Sequence, residues 1–243
     1  MDSLNCLSKE CVNLLHRNRL LQPLIKSEFR HLTLSTVQID QKKEDIAIKE
    51  LKSKLKITND DEFEKFLSSN RLDLEAFNDL ALEKLRLDKY LSNQYASKSE
   101  ARFLKRKNQL DIVIYSLVRV STWSLCRELY FKIVEKESDF GEIAAKYSEG
   151  IEKQTRGIIG PMSLEKAHPS LAESLRASKI GEVNQPITIN NSHLITRVES
   201  FEPARLDNFM KDKMSEELFE EWLNSKSISI LSELIGKSNS TNE

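Results

Sequence analysis

Two hydrophobic patterns divide the chain. Over most of its length, apolar residues recur every three or four positions, which is the spacing of one face of an α-helix. Between residues 111 and 200 they alternate with polar residues or form short runs, which indicates β-strands separated by turns. The helical pattern predicts helices over residues 4–15, 20–37, 40–55, 63–67, 73–91 and 100–109, and another from Leu206 onward.

The central stretch predicts a compact module with its own sheet. It contains five of the six glycines and three of the five prolines, the residues that most often mark turns. Its pattern predicts, in order, a strand over 111–120, a helix over 125–147, a strand over 155–161, a helix over 169–175, a turn over 180–183 and a strand over 193–198.

The apolar stripe from Leu206 to Leu223 needs a partner, because a contiguous exposed apolar surface of this size is unusual in a soluble monomer. The N-terminal helices offer the other large apolar surface. We therefore predict a helical domain over residues 1–110 and a module over 111–202 inserted into it. A C-terminal helix over 203–236 should pack on the N-terminal domain, and the polar tail 237–243 should be disordered.

Composition narrows the function classes. The net charge is −1 and both signs are interspersed, so the sequence does not favour a nucleic-acid partner. The N-terminus lacks the features of a secretory signal and no apolar run approaches the roughly 20 residues of a membrane span. We therefore expect a cytoplasmic protein without membrane insertion. The three cysteines lack metal-ligand spacing. The basic run within residues 102–107 fits either a docking patch or a solvated helix face.

The ordered motifs of the central stretch resemble those of the parvulin family of peptidyl-prolyl isomerases. The most specific piece is the segment DFGEIAAKYSE at residues 139–149, and Gly157, Gly160, Pro169, the Gly181–Val183 turn and Pro186 follow in the expected order. The helices over residues 60–91 resemble the N-terminal domain of SurA-type chaperones. The resemblance implies an α+β fold, in which a small mixed parvulin-like sheet with surrounding helices is carried on a helical chaperone-like domain.

The resemblance also implies a set of site residues. The family pocket has two histidines on neighbouring strands, an Asp or Cys after the Tyr-Ser segment, and a Met and a Phe that line a proline socket. The matching positions here are, in that order, Ser116 and His193, Gly150, Ala167 and Leu171, with Met162 in place of an aromatic residue. We expect His193 and Ser116 to form a catalytic polar pair across adjacent strands, and Met162, Ala167, Leu171 and Gly150 to bind substrate.

The implied function is peptidyl-prolyl cis–trans isomerisation of unfolded or flexible polypeptide. A catalyst lowers the barrier of about 18–20 kcal/mol by binding the twisted amide better than its planar forms, and no cofactor or metal is needed. Because the pocket is only partly kept, we expect weak activity. The alternative is a non-catalytic peptide-binding chaperone or adaptor with the same fold. A purely structural scaffold would leave the glycine-rich module without a role. The client, the residue preceding proline and the oligomeric state stay open.

Overall fold

The computed structural model describes Leu4 and residues 6–239, and the chain divides into two compact units. The first combines Met1–Arg102 with Asp207–Glu243, and the second is Phe103–Leu206. The sequence-based domain division at residues 110 and 202 stays a prediction about independent folding. Of the tail predicted over 237–243, residues 237–239 continue the last helix, and residues 240–243 lie outside the described residues.

The described part of the first unit is helical. Its elements are α1 (Lys9–Arg17), α2 (Leu21–Ser35), α3 (Gln41–Lys54), α4 (Asp60–Asn70), α5 (Leu74–Leu110) as far as Arg102, and the C-terminal helix (Asn208–Asn239). The first, third and fourth helices each begin after a capping residue whose side chain accepts a backbone N–H of the first turn; these capping residues are Ser8, Asp40 and Asn59. The first helix therefore begins at Lys9, later than the sequence predicts.

The C-terminal helix supplies much of the core of the first unit. Phe219 and Leu223 pack with Leu34 of α2 and with Leu87 and Leu91 of α5. Further along, Ile230, Leu231 and Leu234 pack against the buried cluster of Leu4, Val12, Leu21 and Ile25. The apolar stripe of this helix thus lies against the N-terminal helices, although Phe209 at its start is 74% exposed.

Helix α5 is continuous where the sequence predicts two helices. The predicted break between residues 91 and 100 lies inside Leu74–Leu110, a helix of 37 residues. This stretch contains no glycine or proline, and the buried hydroxyl of Ser99 donates to the carbonyl of Ala96, so its polar residues do not interrupt the helix.

No helix in the described part of the chain combines the length and hydrophobicity that crossing a bilayer requires.

The second unit is built on a small sheet. Within the described residues its strands are β1 (Ile112–Val120), β2 (Ile158–Ser163), β3 (Ile187–Ile189) and β4 (Ser192–Glu202), in the order β2-β1-β4-β3. All three strand pairs are antiparallel, so the α+β class is confirmed and the sheet is antiparallel rather than mixed. The short edge strand β3 has no counterpart among the predicted strands.

Helices α6 (Trp123–Val134) and α7 (Phe140–Tyr147) replace the single helix predicted over 125–147. The backbone turns at Lys136, which adopts a left-handed φ of 61°, and α7 then restarts at Asp139. The Asp139 carboxylate accepts the N–H groups of Gly141 and Glu142 at 2.8 and 3.2 Å. An N-terminal cap of this strength favours a new helix over an extension of the first. Helix α8 (Pro169–Ala177) begins where the sequence predicts; Asn208–Asn239 is α9 in this numbering.

The sheet has apolar clusters on both faces. On the α6 face, Val118, Val120 and Ile195 pack with residues of α6 and α7: Cys126, Leu129, Ile133, Phe140, Ile143 and Ala144. On the α8 face, a cluster forms from Val113, Tyr115, Leu117, Leu164, Leu171, Leu175, Leu194 and Val198. Because successive strand residues point to opposite faces, these clusters assign each strand side chain to one face.

Candidate functional site

The two predicted catalytic residues do not meet. In the β1–β4 register Ser116 lies opposite Arg197, whereas His193 lies opposite Val120 at the end of the strand. The Ser116 hydroxyl donates to Glu199 Oε1 at 2.5 Å, and the same oxygen accepts from Arg197 Nε at 2.8 Å. The prediction that Ser116 and His193 form a polar pair across the strands is therefore wrong.

A β-bulge explains the surroundings of Ser116. Tyr115 pairs with Val198 and Ile114 with Ser200, so Glu199 is the extra residue of β4 and has no partner on β1. The bulge brings the Glu199 carboxylate to the Ser116 hydroxyl. Ser116 is 2% exposed, and its hydroxyl belongs to a polar cluster on the α6 face whose other members, Arg197 and Glu199, are partly exposed.

His193 lies on the α6 face at the β3–β4 end of the sheet. Its Nδ1 is 2.9 Å from Thr188 Oγ1, and Thr188 is its partner residue on β3. The Trp123 ring stands edge-on to the imidazole, with the ring centroids 5.3 Å apart. The half-buried imidazole thus contacts the start of α6 and the edge strand.

Met162, Ala167 and Leu171, the predicted socket residues, gather on the α8 face. Leu171 is 6% exposed and belongs to the apolar cluster of that face, whereas Met162 and Ala167 are partly buried against the cluster. Ala167 also lines a surface groove of about 440 Å³ together with Lys105 and Pro169, and Leu171 is not part of its lining. The structure therefore brings these three residues together and places His193 and Ser116 on the other face.

Gly150 leaves room for a buried carboxylate. A Cβ atom at Gly150 would lie 2.1 Å from Oε2 of Glu152, which follows in the 3-10 turn Ile151–Thr155. Glu152 is 2% exposed, and its side chain occupies the space that a larger residue at 150 would fill. The structure thus supplies a packing reason for Gly150, and its predicted contact with substrate stays a prediction.

Glu152 is held by Ser148 and faces Arg119. The Ser148 hydroxyl donates to Glu152 Oε1 at 2.7 Å and accepts the N–H of Arg119 at 3.0 Å. Arg119 Nε lies 3.5 Å from Glu152 Oε1, and the two side chains are 43% and 1% exposed. The buried atoms Arg119 Nε and Glu152 Oε2 make no hydrogen bond. The Glu152 carboxylate therefore interacts with the Arg119 guanidinium as an ion pair without a hydrogen bond from Nε.

Tyr115 and Arg119 are the polar β1 side chains on the α8 face. Tyr115 belongs to the α8-face cluster, and Arg119 lies directly opposite Leu194 of that cluster. Burial raises the pKa of Tyr115; the charge of Arg119 opposes this rise and that of Glu152 adds to it. Neither residue was predicted as a site residue, because the family resemblance points to Ser116, one position along the strand. Leu117 and Val118 are both apolar, so the alternation of polar and apolar residues that would show which face of the sheet a side chain occupies is lost there.

The basic run at the end of α5 is partly used in ion pairs. Arg102 pairs with Glu217 and Glu221 inside the first unit, and Arg106 pairs with Glu165 inside the second. Among the described residues, no three His, Cys, Asp or Glu side chains cluster closely enough to hold a metal ion.

Comparison with known families identifies the second unit. Residues 119–200 match the family model of the rotamase, or PPIC-type PPIASE, domain. This segment is a PPIC-type rotamase domain. The match begins at Arg119 and ends at Ser200, so it includes His193, Met162 and Leu171 but leaves out Tyr115 and Ser116. A domain of this parvulin type acts on polypeptides.

Solved structures resemble the whole chain loosely. The peptidylprolyl isomerase PrsA of Bacillus anthracis is 18% identical, with 89% of this chain and 97% of that chain covered, at a TM-score of 0.47. The foldase protein PrsA of Streptococcus pneumoniae is 16% identical, with 93% and 84% covered and a TM-score of 0.40. A SurA-like chaperone of Campylobacter jejuni is 18% identical, with 86% and 92% covered and a TM-score of 0.37. No curated protein sequence matches the chain.

Proposed function

We propose that the rotamase domain catalyses cis–trans isomerisation of X–Pro bonds in unfolded or flexible polypeptide. The observation that carries this proposal is the family match over residues 119–200. The reaction needs no covalent chemistry, since the barrier falls when a surface binds the twisted amide better than either planar form. The α8 face offers such a surface, because Met162 and Ala167 are partly exposed beside the closed apolar cluster.

We expect the activity to be weak. Leu171 is buried in the cluster and Ala167 carries a single methyl group, so the surface is shallow where a socket would grip a proline ring. Each 1.4 kcal/mol of lost transition-state binding is about a tenfold loss of rate. A missing contact worth about 3 kcal/mol therefore places the rate roughly a hundredfold below that of a deep-socket enzyme.

Exchange NMR on short Ala–Pro peptides tests the proposal without a coupling protease. The full chain should accelerate cis–trans exchange in proportion to its concentration. Ala167→Met should raise the rate by rebuilding one wall of the socket. Leu171→Phe is the poorer variant, because overpacking a residue that is 6% exposed costs about 1–3 kcal/mol of stability.

Substitutions on the two faces separate the candidate residues. Loss of activity in His193→Ala, with the fold intact by circular dichroism, would support the predicted role of His193. Ser116→Ala should leave the exchange rate unchanged, because the Ser116 hydroxyl is bound to Glu199 on the α6 face. Tyr115→Phe should change the cis–trans exchange rate of the peptide, because Tyr115 belongs to the α8-face cluster.

A second candidate function is polypeptide binding without catalysis. One observation favours it: the first unit has an apolar groove of about 340 Å³ between α3 and α5. Ile46 and Leu80 in this groove are 57% and 52% exposed, and Lys43 and Lys54 stand at its rim. If unfolded chains perturb these residues in an NMR titration and X–Pro exchange is not accelerated, the chaperone function replaces the isomerase function.

A further inference from the structure

Helix α3 leaves its apolar side uncovered. In the described structure none of the 14 residues of α3 is buried, whereas α2 in the same unit buries Leu21, Ile25 and Leu34. A groove of about 340 Å³ lies between α3 and α5. Ile46 on α3 and Leu80 on α5 line it and are 57% and 52% exposed. An apolar surface that the unit itself does not cover is typical of a binding site for a partner.

The two walls of this groove are built for a third helix. Their apolar residues recur at helical spacing; they are Ile46, Ala47 and Leu51 on α3 and Leu80, Ala81 and Leu85 on α5. Both walls are helices whose backbone groups are already bonded within the helix, so an extended peptide would find no main-chain partners there. A helix satisfies its own backbone groups, and the small side chains of Ala47 and Ala81 let it come close to both walls. The groove thus fits an amphipathic helix better than an extended strand.

Two cations mark the ends of the α3 wall. Lys43 and Lys54 line the groove, and within the described residues neither of them forms an ion pair. They are eleven residues apart, which is about three helical turns or about 16 Å, so they lie on the same side of α3. Glu50 stands between them on this wall, and Lys84 on the opposite wall is paired with Asp88 at 2.8 Å. The unpaired positive charge is therefore placed at both ends of one wall.

We propose that this groove binds an amphipathic helix of another protein, about three turns long, with an acidic residue at each end of its apolar face. The apolar face fills the space between Ile46 and Leu80, and the two carboxylates meet Lys43 and Lys54. A lipid surface fits less well, because lipid is contacted by a convex apolar helix face, whereas these residues line a concavity between two helices. This partner class belongs to the groove of the second candidate function, and its binding does not depend on isomerisation of X–Pro bonds.

Synthetic helical peptides without proline test the partner class by fluorescence anisotropy with the full chain. The reference peptide has apolar residues at i, i+4 and i+7 and two glutamates eleven residues apart on the same side. We expect it to bind about fivefold tighter than a version with glutamines in their place, as for two exposed charge pairs. Replacing two central residues of its polar side with glycine should weaken binding about tenfold, because each glycine destabilises the helix. Equal binding of the glycine version would indicate an extended occupant and would overturn the proposal.

A substitution in the groove is matched by one outside it. Ile46→Asp should weaken binding of the reference peptide more than about tenfold, because it places a carboxylate among apolar residues. Leu14→Asp is its control, at a residue of α1 that is 51% exposed and does not line the groove. Binding should be unchanged in this control, and circular dichroism checks that both variants keep their helices. Equal losses in the two variants would count against the groove as the binding site.

The preference for acidic ends is tested on α3 itself. Lys43→Gln combined with Lys54→Gln should remove the preference for glutamate over glutamine. Lys42→Gln combined with Lys49→Gln removes the same charge from α3 outside the groove and should keep that preference. The preference of the wild type should also shrink when salt shortens the Debye length. A preference that survives the first pair of substitutions, or is lost equally in both pairs, would overturn the acidic partner.

Other occupants of the groove give different results. Binding of the chain to vesicles of anionic lipid, without binding of the reference peptide, would replace the helix by a membrane surface. Self-association that Ile46→Asp abolishes, again without peptide binding, would replace it by a second copy of this chain. Peptide binding without X–Pro exchange would remove the isomerase function and leave the helix-binding groove standing, and exchange without peptide binding would do the reverse.

Discussion

Substituting Gly150 by alanine tests the packing of the Glu152 carboxylate. The new Cβ atom would lie 2.1, 2.5 and 2.6 Å from Oε2, Oε1 and Cδ of Glu152. The backbone at Gly150 has φ −100°, which any residue adopts, so the substitution introduces no backbone strain. In open space the same change would stabilise the fold by about 0.4–1 kcal/mol through the unfolded state.

The expected change in the free energy of unfolding follows from the interactions that Glu152 would lose. Its side chain is 1% exposed, so it cannot move away without displacing its neighbours, and overpacking of this kind costs about 1–3 kcal/mol. Moving the carboxylate also breaks the bond from Ser148, and a hydrogen bond to a charged group contributes about 1.5–3 kcal/mol. Because the unfolded-state gain offsets part of this, we expect Gly150→Ala to destabilise the second unit by about 2–4 kcal/mol.

Urea unfolding measures this loss, provided that the two units are followed separately. Replacing Trp222 by phenylalanine leaves Trp123 as the fluorescent reporter of the second unit. Gly141→Ala is the control. There the new Cβ atom would meet Arg156 Nε and Asp139 Oδ2 at 3.0 Å, so these exposed side chains need to shift by only a few tenths of an ångström. We expect that control to change the free energy of unfolding by less than about 1 kcal/mol.

A double substitution decides whether Glu152 is the cause. In a Glu152→Ala background the obstacle is gone, so adding Gly150→Ala should stabilise by about 0.4–1 kcal/mol. The reasoning would be refuted if Gly150→Ala alone were neutral or stabilising. It would also be refuted if the costs of the two single changes simply added.

Three further predictions concern other parts of the chain. Burial alone would raise the pKa of Asp139, but hydrogen bonds from backbone N–H groups and a nearby guanidinium lower it overall. Its stabilisation is therefore present above its unfolded pKa and lost as pH falls through the lower folded pKa. Asp139→Ala should lower the free energy of unfolding by about 1 kcal/mol at neutral pH. In urea unfolding at acidic pH, the free energy of unfolding of this variant should fall less steeply with pH than that of the wild type. Burial raises the pKa of the Cys126 thiol to about 11, so a thiol reagent should modify exposed Cys6 and Cys11 in the native protein, and Cys126 only after unfolding. Arg71 ends α4 with a left-handed φ of 53°, so Arg71→Gly should raise the free energy of unfolding by about 1 kcal/mol; a loss would contradict this reasoning.

The order of elements in the second unit could be predicted because its signals are local. The alternating run of β1, the glycines before β2 and the proline that opens α8 each determine structure over a few residues. The break between α6 and α7 also has a local cause, the N-cap residue Asp139. It was not predicted, because apolar residues recur at helical spacing on both sides of it. The polar stretch within α5 gave the opposite error, since a helix without glycine or proline continues through polar residues.

The site could be predicted only in part, because it depends on strand faces. Residues 115–118 of β1 are all buried, so polarity does not alternate there and the sequence cannot show which side chains share a face. Ser116 was predicted because it stands where the family has a histidine. A shift of one residue moves a side chain to the other face of the sheet, and Tyr115 is the residue that faces the α8 cluster. The contact between Glu152 and Gly150 depends on the path of a 3-10 turn, for which the sequence carries no pattern.

The central claim is that the rotamase domain isomerises X–Pro bonds, and exchange NMR on an Ala–Pro peptide tests it most directly. We predict cis–trans exchange that accelerates linearly with the concentration of the full chain and rises further in Ala167→Met. A peptide that binds the α8 face, with shifts at Met162 and Ala167, but exchanges at its uncatalysed rate even at equimolar protein would contradict the claim.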